Sequence, residues 1–454
     1  MIRSLKIIKI DTIRFQLIFL FGRFNGMEKL LLPKISKASG EVIIPGSKSI
    51  SNRILLLAAM TDGETIIQNL LKSDDTERML EALTTLGISV SLIDEGTRTF
   101  KVVGNSGGFP NKKAKLFLGN AGTAFRSLTA AVAINQGEYE LSGIERMHER
   151  PIKDLVDALS DLGFDIEYLQ NTGYPPLKIG PGSLKKQKIS IKGNVSSQYL
   201  TALLMTLPHL KTRIEIEIEG ELISKPYIEI TLILLRAFGV EIAHDDYQRF
   251  IIPHDAEFVS PKTFFVESDA SSASYFLGLG ALCGPLTVKG VGTNSIQGDI
   301  HFVDALIAMG AEVTLGANEI VVSPPQNGVL RGIDLDCNHI PDAAMTLATL
   351  AVFGDQKTTL RNIGSWRVKE TDRIHAMATE LTKLGVKVEE GVDSLVIYPQ
   401  DSLHNNVEIE TYDDHRIAMC FSLIALKSSL TILDPKCVDK TFPTYFELFS
   451  NVTV

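Results

Sequence analysis

The chain has 454 residues, 44% hydrophobic and 22% charged, the balance of a globular protein long enough for two hydrophobic cores. Its 54 acidic residues outnumber 45 basic ones, and the net charge of −9 argues against a nucleic-acid or anionic-membrane surface as the main partner. Cys283, Cys337, Cys420 and Cys437 form no CxxC pair and have no histidine at metal-ligand spacing, so buried thiols in a reducing compartment are expected rather than disulfides or a zinc site.

The first 26 residues are basic, and their longest apolar stretch, broken by Gln16, is too short to span a bilayer. They lack a small-residue cleavage site and read as an N-terminal extension outside the core. Met27 opens "MEKLLLPKISKASGEVIIPGSKS", a fresh start running into a strand.

Two kinds of helix then alternate along the chain. One is amphipathic, ends on a glycine and is followed by alternating apolar residues: "MLEALTTLGISV", "LVDALSDLGFDI", "LILLRAFGVEI", "FVDALIAMGAEV" and "MATELTKLGVKV". Gly87, Gly163, Gly239, Gly310 and Gly385 are spaced by 76, 76, 71 and 75 residues, each where a left-handed helix end belongs, with a strand expected next. The other kind starts small or polar and turns strongly apolar: "SKSISNRILLLAAM", "AGTAFRSLTAAVAI", "VSSQYLTALLMTL", "ASSASYFLGLGAL", "IPDAAMTLATLAVF" and "DHRIAMCFSLIAL". With Ser49, Thr123, Ser197, Ser271, Ala343 and Arg416 as markers, the gaps are 74, 74, 74, 72 and 73 residues. Six copies of one unit are expected, three to a domain, with the apolar helices buried inside each domain.

The polar residues that vary between copies are expected at the starts of the buried helices. There the free N–H groups and about half a positive charge suit phosphates and carboxylates. "PGSKSISNR" supplies Lys48, Ser49 and Arg53; "GNAGTAFR" supplies Asn120, Thr123 and Arg126. "RMHERPIKD" places Arg150 before Pro151, a favoured first helical position, while "NVSSQY" and "SKPYIE" give Ser196, Ser197, Gln198, Ser224 and Tyr227. Further on come Asp342 in "HIPDAAM", Lys369, Glu370 and Arg373 in "WRVKETDR", His415 and Arg416 in "YDDHR", and Lys440 in "DKTFP". Each taken alone reads as a cap or a solvated charge. Repeated placement of cations against the helix dipole is costly unless an anion compensates, and that favours an anion site. A Walker loop is excluded because Ser47 stands between Gly46 and Lys48, and neither "GNAGTA" nor "GLGALCG" has dinucleotide-loop spacing.

These stretches, with "SSQYLTALLM", "DASSASYFL" and "LDPKCVDKTFP", resemble the enolpyruvyltransferase family, and within it the 5-enolpyruvylshikimate-3-phosphate synthases of the glyphosate-sensitive bacterial class, from about Met27 to Phe449. The resemblance implies an α/β protein of two inside-out α/β barrel domains, each of three βαβαββ units. One domain comprises residues 27–46 plus 266–454, and the other residues 47–265. It implies transfer of the enolpyruvyl group of phosphoenolpyruvate to the 5-hydroxyl of shikimate 3-phosphate, in aromatic amino acid biosynthesis. No metal or organic cofactor takes part, and a cytoplasmic monomer is expected. Asp342 resembles the base for the hydroxyl, Glu370 the group exchanging a proton with the methylene carbon, and Lys48 a further catalytic group near both substrates. Lys48, Gly122, Arg150, Gln198, Arg373, Arg416 and Lys440 look like phosphoenolpyruvate contacts. Lys48, Ser49, Arg53, Ser196, Ser197, Gln198, Ser224, Tyr227, Asp342, Ser365 and Lys369 look like shikimate 3-phosphate contacts, with Asn120, Thr123, Arg126 and His415 in secondary positions. Two residues depart from the family pattern: Ser365 replaces a frequent Asn before the Trp, and Ser127 a frequent Pro after Arg126, a change expected to act on the first helical turn and on inhibitor sensitivity. The nearest alternative is the related UDP-N-acetylglucosamine enolpyruvyltransferase, which uses a loop cysteine as acid; no cysteine here lies in a comparable polar loop. A non-catalytic phosphometabolite-binding protein is a further alternative, opposed by the presence of Asp342 and Glu370.

Overall fold

A computed structural model describes residues 20–24, 27–106 and 108–454. The chain divides into two compact units, one reaching Pro45 and resuming as Ser268–Val454, the other Gly46–Glu267. In chain order the helices are α1 (Lys48–Ala59), α2 (Asp74–Thr85), α3 (Gly122–Ala133), α4 (Lys153–Leu162), α5 (Ser197–Thr206), α6 (Lys225–Ala237), α7 (Ala270–Cys283), α8 (Phe302–Ala308), α9 (Ala344–Leu350), α10 (Arg373–Lys383), α11 (His415–Ser422) and α12 (Tyr445–Val452). No helix among the described residues is long and apolar enough to cross a membrane.

The described strands form six four-stranded sheets, three in each unit. All six share one pattern: a parallel pair at one edge, then two antiparallel neighbours. The sheet around Ile214–Glu219 shows why these residues form strands. Its "IEIEIE" alternates with period two, so the isoleucines face inward and the glutamates outward. Lys188–Lys192 lies parallel to it with Lys188 opposite Glu215, and the Lys188 Nζ stands 2.6 Å from the Glu217 carboxylate on the same face.

In three sheets a distant segment completes the unit. In the Gly46–Glu267 unit, Thr263–Phe265 pairs parallel with Gly63–Gln68. In the other unit, Gly40–Ile43 pairs parallel with Leu286–Lys289. Leu430–Leu433 pairs antiparallel with Met27–Leu32, which in turn pairs with Leu20–Phe24. The segment expected as an N-terminal extension otherwise lies outside the described residues, but Leu20–Phe24 supplies the fourth strand of that sheet.

The odd-numbered helices are the apolar ones, and they are buried. Every residue of α3, α9 and α11 is inside; in α1 the exception is Ser49, and in α5 it is Gln198. Some of their hydroxyls turn back on the preceding turn: Thr129 Oγ1 donates to the Phe125 carbonyl at 2.7 Å and Thr206 Oγ1 to Ala202 at 2.8 Å. The even-numbered helices cover the outside with one apolar stripe, as in α4, where Leu155, Val156, Ala158, Leu159 and Leu162 are buried. The five marker glycines all take left-handed backbone; Gly163, with φ +111°, ends α4 and turns the chain into the next strand.

Candidate active site

In the Gly46–Glu267 unit the candidate residues gather at the N-terminal ends of α1, α3 and α5 and at the start of α6. Ser47 caps α1, accepting from the Ile50 N–H. Lys48 follows, 3.6 Å from the buried Asp75 of α2. Ser49 is half-buried beside it. Arg53, one turn on, reaches across the buried helices. Its Nε donates to Thr231 Oγ1 at 2.9 Å, its Nη1 to the Ser49 carbonyl at 2.9 Å, and its Nη2 to Thr201 Oγ1 and the Tyr227 carbonyl at 3.4 Å each. These acceptors are neutral, so burial dominates and lowers its pKa to about 10, while Tyr227 acts in the opposite direction. A buried guanidinium ringed by neutral oxygens keeps its charge available to an anion.

No side chain caps α3, whose N-cap is Ala121, so its first N–H groups have no side-chain acceptor there. Arg150 lies against this end, its Nη1 donating to both the carbonyl and the Oδ1 of Asn120 at 3.0 Å. Gly122 makes room for that guanidinium: a Cβ there would come within 2.6 Å of Arg150 Nη2. Thr123 Oγ1 accepts from Gln198 Nε2 at 3.4 Å, joining the mouths of α3 and α5. Ser196 caps α5 and receives the Gln198 N–H, with Ser197 buried next to it. Arg126, one turn into α3, is committed to the Pro151 carbonyl (2.9 Å) and to Met147 Sδ (3.3 Å). Ser224 takes φ +55° just ahead of α6, and Tyr227 is the third residue of that helix.

The structure changes three expectations in this unit. Pro151 does not open a helix: α4 begins at Lys153, and Arg150 is extended, the conformation favoured before proline. Ile152 is the N-cap of α4: its carbonyl accepts from the Val156 N–H at 3.1 Å, and its own N–H goes to the Gly173 carbonyl at 2.9 Å. Ser127 is in the second turn of α3, inside an unbroken buried helix rather than in the first turn. The polar residues are also not confined to the starts of buried helices, because Ser224 and Tyr227 belong to the entry of the outer helix α6.

The other unit holds a compact network of charges, and most of it likewise lies outside the buried-helix mouths. Asp342 precedes α9 by two residues, Glu370 follows a short 3-10 turn (Gly364–Val368), Arg373 begins the outer helix α10, and Lys440 ends a second 3-10 turn, Pro435–Lys440. Arg373 is 1% exposed and touches three carboxylates. Its Nε donates to Asp414 Oδ2 at 2.7 Å, its Nη2 to Glu370 Oε2 at 2.8 Å, and its Nη1 to Asp342 Oδ1 at 3.2 Å. Burial works against its charge, but Asp414, Glu370 and Asp342 outweigh it and the pKa rises. Arg416, at the N-terminus of α11, donates from Nη2 to Asp342 Oδ2 and Ser271 Oγ at 3.0 Å and from Nη1 to the Tyr275 hydroxyl at 2.9 Å. Lys369 stands 3.9 Å from Asp342, and Lys440 3.9 Å from Glu370. His415 is wholly buried, with its Nδ1 3.5 Å from Asp414. Ser365 is half-buried in the Gly364–Val368 turn, next to Trp366, whose Nε1 donates to the Pro341 carbonyl at 2.8 Å.

Two residues of these clusters escape the sequence reading. Asp414 caps α11 and holds Arg373, and the preceding Asp413 is the same residue type; burial alone separates them. Asp75 pairs with Lys48 from a different helix, with no sequence signal linking the two.

Three carboxylates and four cations make this network a base-rich pocket of charge with cationic excess, suited to an anionic ligand. The cysteines are not candidates for proton transfer, since burial pushes the thiols of Cys283, Cys337 and Cys420 up to about 12.

The chain is similar to known proteins along nearly its whole length. The chain is 58% identical over 429 residues to a 3-phosphoshikimate 1-carboxyvinyltransferase from Cellvibrio japonicus, covering 94% of this chain and 100% of that one. It is 56% identical over 428 residues to the protein of the same name from Thiobacillus denitrificans, again covering 94% of this chain and 100% of the relative. The EPSP synthase structure from Acinetobacter baumannii superposes with a TM-score of 0.76 at 25% identity, covering 94% of this chain and 98% of that one. With the family model described as EPSP synthase (3-phosphoshikimate 1-carboxyvinyltransferase) matching residues 32–449, the chain belongs to the EPSP synthase family.

Proposed function

We propose that the chain transfers the enolpyruvyl group of phosphoenolpyruvate to the 5-hydroxyl of shikimate 3-phosphate and releases phosphate. The charge network around Arg373 supports this most directly: two carboxylates, Asp342 and Glu370, are each held by cations that an incoming anion would also seek. In the addition step a proton goes to the methylene carbon of phosphoenolpyruvate, leaving cationic character at C2. The 5-hydroxyl oxygen bonds to C2 and gives up its proton. In the elimination step the new methyl group loses a proton, the C–O bond to phosphate breaks, and the enol ether forms.

Asp342 takes the hydroxyl proton in this scheme, Glu370 exchanges the proton with the methylene carbon, and Lys48 assists the transfer. General acid–base groups of this kind contribute about 10²–10⁴-fold each. Lys48, Gly122, Arg150, Gln198, Arg373, Arg416 and Lys440 hold phosphoenolpyruvate. Lys48, Ser49, Arg53, Ser196, Ser197, Gln198, Ser224, Tyr227, Asp342, Ser365 and Lys369 hold shikimate 3-phosphate. When the anion of phosphoenolpyruvate takes over the guanidiniums of Arg373 and Arg416, Asp342 and Glu370 lose those partners and become stronger proton acceptors.

Phosphate release measured with phosphoenolpyruvate and each of two acceptors, shikimate 3-phosphate and UDP-N-acetylglucosamine, with and without glyphosate, tests the reading. Turnover with shikimate 3-phosphate is expected; turnover with the nucleotide sugar alone would refute it.

A further inference from the structure

Glu380 is a fully buried carboxylate in α10 that belongs to none of the clusters above. Burying a carboxylate is unfavourable unless donors surround it, and three do. Its Oε1 accepts from the Tyr412 hydroxyl at 2.6 Å, and its Oε2 accepts from the Glu410 N–H at 3.1 Å and from Lys383 Nζ at 2.8 Å. Lys383 is a neighbour on the same helix, but the other two donors belong to the segment that leads into α11. Half-burial and the hydrogen bond to Glu380 both push the Tyr412 hydroxyl's pKa up, so it remains a donor.

That segment has an unusual backbone. Tyr412 and Asp413 take φ of +54° and +53°, two successive non-glycine residues in the left-handed region, which persists only where surrounding contacts enforce it. Directly after them comes Asp414, which meets Arg373 at 2.7 Å and caps α11 through the Arg416 N–H at 2.9 Å. Arg373 and Glu380 are seven residues apart, two turns along one face of α10. The same helix thus grips the segment twice: Glu380 takes its beginning at Glu410 and Tyr412, and Arg373 takes its end at Asp414.

We propose that Glu380 is a positioning residue, which holds the left-handed Tyr412–Asp413 turn so that Asp414 presents Arg373 to phosphoenolpyruvate in the productive orientation. The inference rests on the reading that Arg373 binds phosphoenolpyruvate. Glu380 touches no reacting atom; it acts through Tyr412, Asp414 and Arg373.

Two mild variants test it, Tyr412→Phe and Glu380→Gln, neither of which empties the site of side-chain volume. Losing one hydrogen bond's worth of orientation is expected to raise KM for phosphoenolpyruvate about three- to tenfold. KM for shikimate 3-phosphate should stay within about twofold, since the loss of one contact acts only through Arg373. The Glu380→Gln/Tyr412→Phe double variant should be no worse than the more impaired single one. The Nε–H resonance of Arg373, assigned with an Arg373→Gln variant, should shift in both single variants. An unshifted resonance, or a lowered melting temperature with both KM values unchanged and no shift, would overturn the proposal. A shifted resonance with an unchanged KM for phosphoenolpyruvate, also unchanged in Arg373→Gln, would instead leave the clamp standing and refute the role given to Arg373.

Discussion

Replacing Gly122 by alanine isolates one contact of the proposed phosphoenolpyruvate site. Gly122 is the first residue of α3 and its backbone is helical, so alanine meets no conformational penalty there. The new Cβ would stand 2.6 Å from Arg150 Nη2 and 2.9 Å from both Cζ and Nη1. Ordinary contacts between such atoms begin near about 3.5 Å, so the guanidinium must withdraw by roughly 1 Å. It cannot do so while keeping both bonds to Asn120, each 3.0 Å long. Hydrogen bonds to a charged group are worth about 1.5–3 kcal/mol, and about 1.4 kcal/mol is tenfold in affinity, so KM for phosphoenolpyruvate should rise about 10- to 100-fold. Alanine is the better helix former by up to about 1 kcal/mol, which offsets only part of that loss, so the melting temperature should fall by a few degrees while the chain stays folded. Steady-state phosphate release with each substrate varied in turn, alongside a thermal melt, separates the terms. An unchanged KM for phosphoenolpyruvate in a stably folded Gly122→Ala variant would refute the role given to Arg150.

Glu370→Ala should keep shikimate 3-phosphate binding by calorimetry and lose turnover by about 10²–10⁴-fold, whereas unchanged turnover would remove Glu370 from the proton transfers. Trp366→Phe deletes the indole N–H that the Pro341 carbonyl accepts, next to Asp342, and should cost about 1–3 kcal/mol in denaturant unfolding; an unmoved midpoint would show that this bond does not anchor the Asp342 turn. His209, stacked on Phe258 with ring centroids 3.9 Å apart, has its pKa lowered to about 3, by burial first and Lys211 second. The unfolded chain therefore takes up a proton below about pH 6.5 that the folded one refuses, and stability should fall by about 2 kcal/mol between pH 7 and pH 5. His209→Phe keeps the stack and cannot titrate, so its melting temperature should fall less over that interval; equal slopes would refute the assignment.

Much of the fold is legible because its information is local. A glycine after an amphipathic helix reports a left-handed residue, and an all-apolar helix reports burial, so the two interleaved series identify the alternation of outer and inner helices. Pairings between distant segments are not local, and no periodicity in Gly40–Ile43 announces Leu286–Lys289 as its parallel neighbour. The strand Leu20–Phe24 escapes for a related reason: its stretch is basic and apolar like a leader, and only its partner Met27–Leu32 makes it part of a sheet. Arg150 shows a third limit. A proline can open a helix or hold its predecessor extended, and here Pro151 does the second, with α4 beginning two residues later at Lys153.

The candidate cations were legible and their acids only half so, and charge explains why both are needed. Arg373 and Arg416 are buried, and burying an unpaired guanidinium costs several kcal/mol, so carboxylates must neutralise them before any ligand does. Two of those carboxylates, Asp342 and Glu370, are the ones the proposed chemistry uses, and in that scheme an anion taking over the arginines would also set the bases free. Asp414 cannot share that duty. It is wholly buried and accepts both the Arg373 guanidinium and the N-terminal N–H of Arg416, so releasing it would uncap α11 as well. One acid therefore stays fixed while two can change partners, and the difference is set by burial and capping rather than by residue type. It follows that Asp414→Asn should cost more stability than Asp342→Asn in paired denaturant melts, because Asp414 is wholly buried against Arg373 whereas Asp342 keeps 13% of its side chain exposed; the opposite order would mean that Asp342 is as structural as Asp414 and has no freedom to act as a base.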